Sequence, residues 1–191
     1  MSDPRRAPMP PAPAVRVWDL PVRLLHLVLA ASVAGAWLTG EETLRWHEAA
    51  GWAGLAAVAA RLAWGARGSR FARFGAFVRG PAATARYAAQ VLRGTAPRYL
   101  GHNPLGGWMA VALLATVTAT GITGWLYTTD AFWGMAWLDG LHRALAWAVL
   151  VLVGLHVAGV MFTGWHQREH LVAAMVHGRK RGGDAADGDG R

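Results

Sequence analysis

His142 and His156 stand fourteen residues apart in the apolar stretch HRALAWAVLVLVGLH. At 3.6 residues per turn this is almost four full helical turns, so both imidazoles leave nearly the same helix face. They lie roughly 21 Å apart along the axis, too far for one shared metal ion and suited to two large cofactors stacked at two depths. An imidazole inside a membrane helix is costly and usually functional. Haem iron is one of the few centres that takes histidine from both sides. The spacing therefore predicts two haems held along one transmembrane helix.

Such ligands need helices to carry them, and four apolar segments approach the ~20 residues that cross a bilayer. They run from about 20 to 39, 46 to 65, 107 to 127 and 138 to 165. A long basic connection, 66–106, separates the second from the third. Its middle, PAATARYAAQVLRG, starts with Pro81, carries Arg86 and Arg93 and ends near Gly94, the pattern of a short amphipathic helix on a membrane surface. The expected fold is an all-α integral membrane protein, a four-transmembrane-helix bundle with that short cytoplasmic amphipathic helix between the second and third spans. Residues 1–16 read as a cytoplasmic N-terminal tail, 17–182 as the membrane domain, and 183–191, rich in Gly and Asp, as a disordered C-terminal tail. Arg5, Arg6 and Arg16 alternate with five prolines before any apolar core begins near Leu20. The run that follows is too long for the core of a cleavable signal and reads as the first span.

Composition agrees. The 191 residues are 54% hydrophobic, with 11 tryptophans and a mean hydropathy of +0.24; indoles favour the lipid–water interface. The absence of cysteine excludes disulfides, thiolate-held iron–sulfur clusters and covalent c-type haem. Any haem is then non-covalent and nitrogen-ligated, or Met-ligated at one end. The net charge of +8 is distributed by side. Arg5, Arg6, Arg16 and Arg23 flank the first span, seven arginines from Arg67 to Arg98 fill the long connection, and Arg168, Arg179, Lys180, Arg181 and Arg191 follow the last span. Only Arg45 and Arg143 lie near the two short opposite loops. The positive-inside rule places both termini and the connection in the cytoplasm. The charge thus reads as a topology and lipid-headgroup signal, not a nucleic-acid surface. The outer loops lean acidic, through Glu41, Glu42, Glu48, Asp130 and Asp139. They are either ordinary solvated loops or a docking patch for a basic redox partner.

Depth sorts the eight histidines. His26 sits six residues into a span that enters from the inner side, about 9 Å deep, comparable with His156. His47 begins the second span at the level of His142. A lone histidine near a helix end is more often an interfacial polar group than a ligand. Two pairs at two matched depths are a different matter, and they assign His26 with His156 to an inner haem and His47 with His142 to an outer one. Arg23, with Arg16 and Arg98 as weaker choices, could face the haem propionates inside, and Arg45 and Arg143 outside; anchoring by the positive-inside rule explains the inner set equally well. Gly35, Gly51, Gly54, Gly121, Gly124, Gly154 and Gly159 lie within the spans and either permit close helix packing or clear space for a porphyrin face. His102, in YLGHNPLGGW, has no partner at its depth and is not expected to be an axial ligand. His166 and His170 read as a solvated helix end rather than a metal site, and His177 as tail.

The stretches VWDLPVRLLH (17–26), RWHEAAGW (45–52), YLGHNPLGG (99–107), LHRALAWAVLVLVGLH (141–156) and REHLVAAMVHGRKR (168–181) together resemble the bacterial di-haem cytochrome b561 family, which includes the cytochrome b subunits of nickel–iron hydrogenases. The resemblance covers roughly residues 15–182. It implies a four-helix bundle in the bacterial inner membrane, two b-type haems, and axial ligands at His26, His47, His142 and His156. It also implies respiratory-chain electron transfer between the quinone pool and a partner such as a periplasmic cytochrome c or a hydrogenase or dehydrogenase subunit. Leu27 departs from the tryptophan that members often carry after the first histidine. Rival readings are a haem enzyme acting directly on superoxide or ferric ion at the outer face and a haem-free membrane anchor. A transporter would show more spans and internal repeats.

Overall fold

A computed structural model describes residues 13–40 and 44–182. Arg5, Arg6, Glu41, Glu42, Arg191 and the C-terminal tail expected at 183–191 lie outside the described residues.

Local signals start the helices where the sequence places them. The Asp19 carboxylate accepts the Val22 amide at 2.9 Å and Pro21 occupies the first turn, opening α1 (Leu20–Thr39). A side-chain acceptor at the N-cap satisfies an amide that the helix itself leaves unpaired. Asn103 does the same for α5 (Pro104–Tyr127), accepting the Gly106 amide at 2.7 Å, with Pro104 as the first helical residue. Proline suits that position because it has no amide hydrogen to leave unpaired. The amphipathic segment is α4 (Pro81–Leu92), with Tyr87 buried beneath it. The other long helices are α2 (Leu44–Arg67) and α6 (Ala136–Gln167), and short α3 (Phe74–Phe77) and α7 (Leu171–His177) complete the helical part.

Helices α1 and α2 pack together, as do α5 and α6, and α2 packs on α5. Among the described residues three helices, α1, α5 and α6, are long and apolar enough to cross a membrane. The second expected span, α2, has the length, at 24 residues, but Arg45, Glu48, Arg61 and Arg67 fall within it and its remaining positions are largely Ala and Gly. Its apolar content is therefore below that of its neighbours. Deep in this helix Arg61 is only 8% exposed, so α2 turns a charge toward protein.

The chain also contains a small sheet that helical periodicity does not reveal. Strand β1 (Ala14–Arg16) pairs antiparallel with β2 (Arg179–Arg181), Val15 opposite Lys180. The pairing ties the start of the chain to the segment after α7. Beside it lies the buried apolar core of Val17, Trp18, Val22, Ala72 and Leu100, flanked by Trp64, Phe71 and Met175. Glu169, itself buried, receives Arg98 at 3.0 Å and stands 4.0 Å from Lys180. The conventional core thus sits at one end of the bundle. The apolar side chains along the spans face outward, as a lipid solvent permits.

Gly65 marks how tightly that end is built. A Cβ there would overlap the Phe74 ring and lie 2.9 Å from Arg61 Nη1. Gly65→Ala is expected to cost about 1–3 kcal/mol by overpacking and to lower the thermal midpoint of the detergent-solubilised protein. An unchanged midpoint would contradict the packing described.

Candidate cofactor site with two facing imidazole pairs

Helix α6 carries His142 and His156 on one face, and each meets a histidine from another helix. His47, in the first turns of α2, faces His142 with ring centroids 6.0 Å apart and planes at 76°. His26, near the start of α1, faces His156 at 6.4 Å and 47°. The two pairs lie roughly 21 Å apart along α6. Since α2 and α6 both begin at the end holding His47 and His142, while α1 begins at the other, the antiparallel hairpin α1–α2 delivers one histidine to each level.

The separations test what could fit. Two nitrogens each about 2.0 Å from one metal place imidazole centroids about 6.3 Å apart. Both pairs match an imidazole–metal–imidazole sandwich more closely than direct ring stacking. A set of two neutral nitrogen donors, with no acidic or sulfur ligand, suits haem iron. Among the described residues no cluster of three or more His, Asp or Glu side chains could hold a bare metal ion.

Hydrogen bonds prepare one pair. His47 Nδ1 lies 2.8 Å from the Ala36 carbonyl, and His142 Nδ1 lies 3.1 Å from the Thr120 carbonyl and 3.2 Å from Thr123 Oγ1. A carbonyl can only accept, so both Nδ1 atoms carry the hydrogen and both Nε2 atoms keep a lone pair for a metal. Thr123, buried, spends its hydroxyl hydrogen on the carbonyls of Ala119 and Thr120 at 2.9 Å, leaving its oxygen to accept from His142. Outer contacts of this kind fix ring orientation and raise ligand basicity. Among the described residues, His26 and His156 make no such bond. Sequence reading missed Thr123, which lies one turn of α5 beyond a string of threonines that bond back to their own helix.

The glycines divide into two groups. At Gly35, Gly54, Gly121 and Gly124 a Cβ would meet Ala50, Ser32, Leu55 and His142 respectively, so these serve helix contact. At Gly51, Gly154 and Gly159 it would meet nothing within 4 Å. Gly51 lies one turn beyond His47 and Gly159 one turn beyond His156, on the ligand faces, where an open strip can receive a flat macrocycle.

The arginines expected at propionates make the following contacts within the protein. Arg23 donates to the carbonyls of Met175 and Val176 and so holds the end of α7. Arg143 pairs with Asp139 at 3.0 Å on the exposed face of α6. Arg98 binds Glu169 and the Arg181 carbonyl, Arg16 lies in β1, and Arg45 rests over the Trp46 ring. Of the expected acidic patch, Asp139 is thus neutralised by Arg143, while Asp130 is exposed.

The GHNPLGG segment acquires roles. Asn103 and Pro104 start α5, and Gly107 lets the Phe77 carbonyl approach, since a Cβ there would lie 2.8 Å from it. His102 is wedged between Trp18 and Phe77, with centroids 4.8 and 4.5 Å away, and its Nδ1 is buried without a hydrogen-bond partner. His166 stacks on Phe162, and His177 Nδ1 accepts the Arg179 amide at 3.1 Å.

The family model described as prokaryotic cytochrome b561 matches residues 17–178 of this chain. No curated protein and no solved structure gives a match.

Burial, reinforced by the nearby charges of Arg61 and Lys180 and by His156 and His26, lowers the His102 pKa from 6.5 to about 3. Between those values the unfolded chain binds a proton that the folded chain refuses. The stability from this group is therefore full above pH 6.5 and falls as pH drops toward 3. His102→Gln is expected to flatten the decline of the thermal midpoint between pH 6.5 and 5 relative to wild type. Parallel profiles for the two proteins would rule this out.

Proposed function

Because the chain belongs to the prokaryotic cytochrome b561 family, and is thus a membrane b-type haem protein of electron transfer, we propose that it passes electrons through two haems between the quinone pool and a redox partner. The partner is a periplasmic cytochrome c or a hydrogenase or dehydrogenase subunit. The observation that carries the reading is the pair of facing imidazole couples, at 6.4 and 6.0 Å, on two levels of one helix.

On this reading His26 with His156, and His47 with His142, are the axial ligands, and four helices including α2 span the bacterial inner membrane with both termini cytoplasmic. The concentration of arginines in the connection, in β1 and in β2 supports that orientation. Haem would supply a reversible one-electron change at iron. The residues do the rest. His47 and His142 are locked by carbonyls on α1 and α5, so their rings cannot rotate away as charge changes. If each histidine pair holds one haem, His26 with His156 and His47 with His142 would leave no site for oxygen to bind, which favours relay over direct chemistry on superoxide. The glycines at 51 and 159 leave room beside the rings. Exposed tryptophans at Trp37, Trp52, Trp125, Trp147 and Trp165 suit a lipid environment.

Purified protein should show a sharp reduced α band and about two protohaems per chain by pyridine haemochrome assay, and reduction by a quinol should develop that band. His156→Ala should keep one haem, and His47→Ala the other. A featureless spectrum, or two intact haems in His156→Ala, would sink the assignment.

A further inference from the structure

Arg61 repeats on α2 the spacing that His156 has on α6. It follows His47 by fourteen residues, as His156 follows His142. His47 faces His142, and the two helices run in the same direction. The same number of turns therefore brings the guanidinium to the level and side of His156. The guanidinium also joins an aromatic cluster that ends at His102. Arg61 lies over the Phe74 ring at 4.9 Å, Phe74 touches Phe77, and Phe77 packs on His102.

The guanidinium is only partly used. Arg61 is 8% exposed; one amino group donates to the Ala72 carbonyl at 3.0 Å, and Nη1 is buried without a partner. Among the described residues no carboxylate comes within ion-pair distance of it. Asp19, the nearest acidic group to act on it, already receives the Val22 amide and Trp64 Nε1. A buried cation with an idle donor is expensive unless an anion completes it. The His102 Nδ1 in the same cluster is a second orphaned atom.

We propose that Arg61 Nη1 binds a carboxylate of the porphyrin held between His26 and His156, so that α2 supplies an imidazole at one level and a carboxylate clamp at the other. The proposal rests on the two-haem reading above, and it replaces Arg23 as the arginine that meets this haem. It explains why α2 keeps a buried charge at this level.

The test uses holoprotein grown on 5-aminolevulinate labelled with 13C at its carboxyl, which marks the haem carboxylates and no lipid. In redox-difference infrared spectra, Arg61→Gln should shift one labelled carboxylate band. It should also lower the midpoint potential of the haem that His156→Ala removes, leaving the other haem unchanged. Arg61→Lys, which keeps the charge but not the second amino group, should shift the same band. A second measurement needs no variant: reduced wild type, diamagnetic and labelled with 15N-arginine, should show carboxyl–guanidinium dipolar coupling by solid-state NMR. Its absence, or labelled bands in both variants identical to wild type, overturns the proposal. Two intact haems in His156→Ala would instead overturn the ligand assignment on which it rests.

Discussion

Two imidazoles facing each other across a metal-sized gap make a demand that the backbone meets twice. Each couple needs rings from different helices at one height, with a nitrogen lone pair free on both. Separations of 6.0 and 6.4 Å hold at both levels because α6 runs unbroken from Ala136 to Gln167, so His142 and His156 share a face by helical geometry alone. The partners come from a hairpin whose two helices start at opposite ends. The lengths of α1 and α2 therefore set the register of both couples together.

The two levels are built differently. At the His47–His142 level, carbonyls on neighbouring helices orient both rings, and packing is helix on helix with glycine and threonine at the contacts. Near the His26–His156 level the chain places its apolar core, the β1–β2 pair, and the charged cluster of Arg98, Glu169 and Lys180. That end is a small buried core folded against the long apolar helices. Aromatic rings of Trp18, Phe74 and Phe77 link it to His102 and Arg61. The difference follows from solvent. Lipid gives apolar side chains no reason to bury, whereas the loops and termini outside the bilayer need a core to stay in place.

Helix α2 mediates between these regimes. Its Ala and Gly content lets α1 and α5 approach closely, and the same content, with its charges, makes it the least apolar of the four long helices. A segment sheltered by neighbours on its sides can carry a buried guanidinium that a lipid-exposed helix could not. Trp64, on the same helix, donates to the Asp19 carboxylate that caps α1, so α2 also anchors the start of its hairpin partner.

Much of this was legible in the chain. Spacing placed His142 and His156 on one face, and apolar run lengths located all four long helices to within a few residues, because helical period and bilayer thickness are local and fixed. The contacts of the arginines were unevenly legible: the Arg143–Asp139 pair is one turn apart on a single helix, whereas Arg23 donates to carbonyls of Met175 and Val176 that only the folded chain brings near. The three-residue strands, the sorting of glycines into contacts and open strips, the Thr123 bond to His142 and the burial of His102 likewise join residues far apart in sequence. By itself, then, the sequence determined which side chains share a helix face and a depth. The tertiary structure alone decided which neighbour each one meets, because that depends on how separate helices pack.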